Sequence, residues 1–164
     1  MRLLLLLAIV SYVSWCASVV VQYRRKNGKT VTHYIVEHLS YLSWFSSQTK
    51  CEEMSAHLGT MEDGEEARFV SEQYRKHRCG GNRCEANFWL GAQRVGNSNR
   101  FQWQFDNLPD PTAWKDGKPN DASADGYCMA LYTSFDAFGD LKCVADYTEY
   151  WNVHKLKGWI CTKP

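Results

Sequence analysis

The sequence predicts an α+β fold. Two helices pack on small antiparallel sheets, a long irregular loop leaves them, and disulfides staple the whole. Three observations carry this. Apolar residues recur at helical spacing from Tyr41 to Arg78. From Asn87 onward they come instead in short runs separated by turn residues. Six cysteines, Cys51, Cys79, Cys84, Cys128, Cys143 and Cys161, form an even set of the kind that braces exported domains.

The 164 residues suit one domain with a real core. A formal net charge of +1 gives no reason to expect a nucleic-acid or anionic-membrane partner. The Arg24-Arg25-Lys26 triplet reads as solvated. Residues 1–18 read as a secretory signal peptide: Arg2, the apolar run Leu3–Val10, then small residues at Ala17-Ser18. No later stretch is apolar enough for a membrane span. The expected organisation is a signal peptide over 1–18, a polar leader over 19–29 and a domain over 30–163, secreted and extracellular.

Along the domain, Lys29–Glu37 is β-branched and aromatic, hence a strand. Tyr41–Met61 reads as a helix, with Ser43 as a cap and Gly59 as its stop. Glu62–Arg78 reads as a second helix, acidic at its start and basic at its end, as the helix dipole favours. Phe88–Arg94, FWLGAQR, is the hub: a buried strand whose Gly91 allows another element to come close. Phe101, Trp103 and Phe105 alternate with Gln102 and Gln104, a half-buried strand. Asn107–Ser123 is a long ordered loop around Trp114. Tyr127–Tyr132 and Gly158–Thr162 are further buried strands. Trp89, Trp103, Trp114 and Trp159 are expected in the core. The polar stretch Asp146–Lys157 carries Tyr147, Tyr150 and Trp151, which are expected as an exposed contact surface.

These pieces, FWLGA, FQWQFD, WKDGKPN, GYCMALY, FGDLKC and GWIC in that order, resemble the C-type lectin-like domain from about Thr30 to Lys163. The resemblance implies that fold, with Cys51 bridged to Cys161 and Cys128 to Cys143. It leaves Cys79 and Cys84, around the tight turn Gly80-Gly81-Asn82, as a small closed loop. It also implies a recognition role toward a glycan or an extracellular protein, as in defence and innate immunity.

In this family a calcium ion in the binding loop is held by a Glu-Pro-Asn triplet, a Glu before the third framework cysteine and an Asn-Asp pair. Calcium wants about six to eight oxygens. Here the triplet is Lys118-Pro119-Asn120, Gly126 stands where the acid belongs, and Phe138-Gly139-Asp140 replaces Trp-Asn-Asp. Lys118 removes a carboxylate and adds a repelling charge. Asn120 and Asp140 remain as weak metal candidates, and Asp121 and Asp125 as neighbours that could reach in. The expectation is a ligand site of Lys118, Asn120, Asp121, Asp125, Asp140 and Trp151 without a calcium cofactor; the alternative is a calcium-dependent lectin with an altered site. Replacing Lys118 by Glu and Gly139 by Asn is expected to create calcium affinity. No Gly-x-Ser-x-Gly, His-Glu-x-x-His or phosphate loop is present, every cysteine after residue 18 has a structural use, and the five His read as surface or capping residues, so no enzyme is expected.

Overall fold

The structure, a computed structural model, describes residues 18–38, 41–120, 127–144 and 148–164. The apolar stretch 1–17, Asp121, Asp125 and Tyr147 lie outside the described residues. The chain runs β1 (Ser18–Arg24), β2 (Thr30–Glu37), α1 (Trp44–Glu53), β3 (His57–Leu58), α2 (Gly64–Arg78) and β4 (Asn87–Arg94). It continues through β5 (Phe101–Trp103), β6 (Tyr127–Tyr132), β7 (Ala137–Lys142), α3 (Thr148–Val153) and β8 (Leu156–Lys163). One eight-stranded sheet has the order β1-β2-β8-β4-β6-β7, with β3 on β8 and β5 on β4. The expected small antiparallel sheets are therefore joined into one, and the seam between them is the parallel pair β4–β8.

The polar leader is a strand. Val19 and Val21 are buried at alternate positions, and β1 pairs with β2 from Ser18↔Val36 to Arg24↔Thr30. A Val-x-Val period of two was present in the sequence and buries one edge of β1. The first helix is shorter than expected. Ser43 caps it by accepting from Ser46 N–H. It ends at Glu53, Ser55 turns the chain at φ 55°, and Leu58 then pairs with Cys161 in β8. The tertiary pairing of β3 overrides the continued helical spacing. Asp63 caps α2 by accepting from Glu65 and Glu66 N–H.

The central strands read as apolar runs because the sheet is covered on both faces. Alternate residues go to opposite sides. Phe88 and Leu90 of β4, Met129 and Leu131 of β6 and Ile160 of β8 pack with Ala67, Val70 and Tyr74 of α2. Trp89, Ala130, Trp159 and Cys161 face the other way, toward Trp44 and Cys51 of α1 and Trp151 of α3. Trp89, Trp103 and Trp159 are core as expected. Gly91 does admit a close neighbour: an added Cβ would stand 2.6 Å from Leu58 O. The disulfides join Cys51 to Cys161, Cys79 to Cys84 and Cys128 to Cys143. The longest of them ties α1 to β8 across the face that α1 covers.

Two sequence expectations fail at one place. Arg25 is not solvated and His33 is not on the surface; both are buried around Glu66. Arg25 Nε donates to Glu66 Oε1 and Oε2 at 3.2 and 3.1 Å. His33 Nε2–H donates to Oε1 at 2.8 Å, and Glu62 N–H to Oε2 at 2.6 Å. Arg25 also reaches Thr60 O at 2.8 Å and Asp106 Oδ2 at 3.1 Å. The cluster extends the ladder: Thr162 Oγ1 meets His33 Nδ1 at 2.8 Å. Burial alone would raise the Glu66 carboxyl, but His33, the Glu62 amide and Arg25 outweigh it and hold it below the ordinary value. Asp106 is likewise held well down, against its burial, by His57, Thr60 and Arg25.

Two outcomes follow from this cluster. Glu66→Gln removes the more deeply buried of the two anions on Arg25 and leaves only Asp106, so it should cost up to about 3–5 kcal/mol in urea unfolding. Because Glu66 and Asp106 have lowered folded values, their stabilisation is complete above the unfolded carboxylate value, roughly pH 4. It is lost as pH falls below that toward the folded values. A melting-temperature profile should therefore drop below about pH 5, and less steeply in Glu66→Gln.

Candidate functional site

The long loop is fixed along β7 by its backbone. Phe138 N–H donates to Ala113 O at 2.7 Å, and Lys115 N–H to Phe138 O at 2.9 Å. Trp114 holds the crossing: its ring packs against Phe101 and Phe138, and its Nε1–H donates to Pro111 O. Lys118 N–H then closes a turn on Lys115 O at 2.9 Å. The Lys118–Pro119 peptide is cis. This path carries residue 118 back over the middle of β7.

There Lys118 meets the two oxygens that the resemblance left as metal candidates. Its Nζ lies 2.8 Å from Asp140 Oδ1 as an ion pair and donates to Asn120 Oδ1 at 2.7 Å. It also donates to Asp140 O at 3.4 Å. Asp140 is buried, with a side chain 1% exposed, and Lys118 covers it from the solvent side at 20%. A calcium site needs several oxygens converging on one point. Here an ammonium stands at that point and has already engaged them, so these residues do not fit calcium. Among the described residues no group of three or more His, Cys, Asp or Glu could hold a metal ion.

The neighbouring position is closed as well. An added Cβ at Gly139 would lie 2.5 Å from the Tyr132 ring. Glycine is required at 139 because a buried aromatic fills the space where a longer side chain would project. The expectation that Lys118→Glu with Gly139→Asn creates a calcium site is corrected on this ground: the Asn would first have to displace Tyr132. Burial, then the negative field of Asp140, raises the Tyr132 phenol, so it stays protonated and adds no charge.

The insertion before β8 packs on the same region. Lys142 N–H donates to Tyr150 Oη at 2.7 Å, and the Tyr150 ring lies 4.2 Å from that of His154. His154 is held below the ordinary imidazole value by burial first and then by the positive field of Lys118. Trp151 was expected on an exposed contact surface. It is instead buried at 2% exposure, edge-on to Tyr41. The helix α3 stays on the sheet by burying its largest ring.

The structure thus brings Lys118, Asn120 and Asp140 together and sends Trp151 to the core. Asp121 and Asp125 lie outside the described residues. Sequence reasoning missed Tyr132 and His154. Tyr132 read as one more apolar residue of YCMALY, and no local pattern pointed to its pairing with a glycine at 139.

Residues 40–163 match the family model described as the Lectin C-type domain. The chain is 28% identical over 128 residues to hepatic lectin of Gallus gallus, covering 77% of this chain and 52% of that protein. It is 26% identical over 108 residues to C-type mannose receptor 2 of Homo sapiens, covering 66% of this chain and 7% of that one. It therefore spans about half the length of the first relative and a small part of the second. Among solved structures, human lithostathine shares the fold at TM-score 0.62 and 20% identity, with 87% of this chain and 86% of that one covered. This chain belongs to the C-type lectin domain family.

Proposed function

We propose that this chain is a secreted, non-catalytic recognition protein that binds a glycan or an extracellular protein without calcium at the family's sugar site. One observation carries the reading. Lys118 Nζ stands 2.7–2.8 Å from Asn120 Oδ1 and Asp140 Oδ1, the two oxygens that the resemblance offers as metal candidates. A lysine ammonium is a compact point charge with three donors and no acceptor, so it can neutralise Asp140 and order Asn120 without recruiting a ligand hydroxyl. Binding through metal-held sugar hydroxyls is then replaced by direct contacts. Export is supported by the apolar run Leu3–Val10 and by three disulfides, which persist in oxidising compartments. None of the helices in the described residues is long and apolar enough to cross a membrane. The non-catalytic reading rests on the absence of any nucleophile motif in the sequence.

The test is thermal. A ligand bound only by the folded state raises the melting temperature by linkage. The wild type should melt at the same temperature in millimolar calcium and in chelator. A rise with calcium would overturn the reading. The variant Lys118→Glu/Gly139→Asn should melt lower than wild type and stay unresponsive to calcium, because Tyr132 occupies the space. Adding Tyr132→Ala frees that space and should create a calcium-dependent rise.

A further inference from the structure

Away from the metal position, a second feature has the chemistry of a ligand site. An open cleft of about 350 Å³ lies between the β6–β7 hairpin, the start of β4 and the end of α3. That is within the usual size of small-ligand sites, roughly 300–1,000 Å³. Its apolar surface is presented outward: Phe135 is 53% exposed and Val153 68%. Lys115 Nζ sits 4.0 Å from the centre of the Phe135 ring and 5.7 Å from that of Tyr132. Cation–π attraction thus fixes both the ammonium and the ring. Lys155 and Glu85 also line the cleft. Among the described residues neither Lys115, Lys155 nor Glu85 has an oppositely charged partner. His154, on the same wall, is kept from adding a charge by its burial and by Lys118. Two ammoniums against one carboxylate leave a single positive charge to be balanced.

We infer that this cleft binds an acidic saccharide, with a sugar ring stacked on Phe135 and its carboxylate or sulfate paired to Lys155. The inference rests on the recognition reading but does not use calcium. Lys115 covers one face of the ring, and the exposed remainder offers a flat apolar face to the C–H side of a pyranose. The Ser134 hydroxyl and the Glu85 carboxylate, both on the cleft wall, can take up sugar hydroxyls. A peptide partner would instead need an enclosed apolar pocket for an anchoring side chain, and this cleft is open with its apolar groups at the rim.

The full-length protein, in chelator, is titrated by calorimetry with four probes: a hyaluronan tetrasaccharide, a chondroitin sulfate tetrasaccharide, neutral chitotetraose and tetraglutamate. At least one acidic saccharide should bind, and the neutral sugar and the peptide should bind about tenfold more weakly or worse. Tighter binding of the chondroitin sulfate assigns the anion as sulfate, and equal binding assigns it as the carboxylate that both probes carry. Lys155→Ala and Phe135→Ala, both at exposed positions with unchanged melting expected, should each weaken binding about tenfold, while Lys50→Ala, on the exposed side of α1 and outside the cleft, leaves it unchanged. Equal binding of chitotetraose or of tetraglutamate, no binding of either acidic probe, or unaltered affinity in both cleft variants would overturn the inference. A glycan bound equally by all of these variants would still leave the recognition reading in place.

Discussion

The buried carboxylate of Glu66 determines how the N-terminal hairpin and α2 sit on the sheet. It accepts from Arg25 in the β1–β2 turn, from His33 in β2 and from the Glu62 amide before α2. His33 passes the contact on to Thr162 in β8. A charge with no exposure is tolerable only when every lone pair is engaged. That requirement is directional, unlike the apolar packing of α2 on the same face, which tolerates sliding. The apolar contacts hold the layers together, and the ion cluster fixes their register.

The same logic applies at the other end of the sheet, around Asp140. Asp140 is as deeply buried as Glu66 and needs a cation. Lys118 supplies it from within the chain. The departures from the family pattern at 118 and 139 belong together with Tyr132. Without Gly139 the Tyr132 ring would have no room. With the ring there, the ligand oxygen that the family carries at 139 is not replaced. Lys118 covers the remaining carboxylate. Up to Asn120 the loop is held by its own side chains and by the Trp114 crossing on β7.

The strands and helices were legible because periodicity reports burial directly. YCMALY and FWLGAQR read as buried strands, and Tyr127–Tyr132 and Phe88–Ala92 are buried on both faces. The three disulfides stand as the resemblance implied. The replacement of the family's oxygen-bearing residues at 118 and 139 by Lys and Gly was visible in the sequence once the resemblance was drawn. What sequence could not give was long-range. β1 was passed over because its Gln22 and Arg24 look polar, although Val19 and Val21 alternate. Arg25 and His33 looked like surface residues because their partner Glu66 lies 41 and 33 positions away. Trp151 looked available because its polar neighbours hid the single face on which α3 packs.

That helix shows how an insertion can be added without loosening the fold. Trp151 anchors it in the core, and Tyr150 accepts from the β7 backbone. Its exit is pinned at two points on one residue: Asn87 N–H donates to Lys155 O at 2.9 Å, and Asn87 Nδ2 to His154 O at 2.5 Å. Lys155 itself takes a left-handed backbone, φ 51°, to turn directly into β8. The backbone beneath the Lys155 side chain is therefore held while its ammonium remains in solvent. The held backbone removes the main-chain share of the ordering cost when this charge meets an anion, and only the rotamer freedom of the lysine side chain, about 1.5–2 kcal/mol, is left to lose.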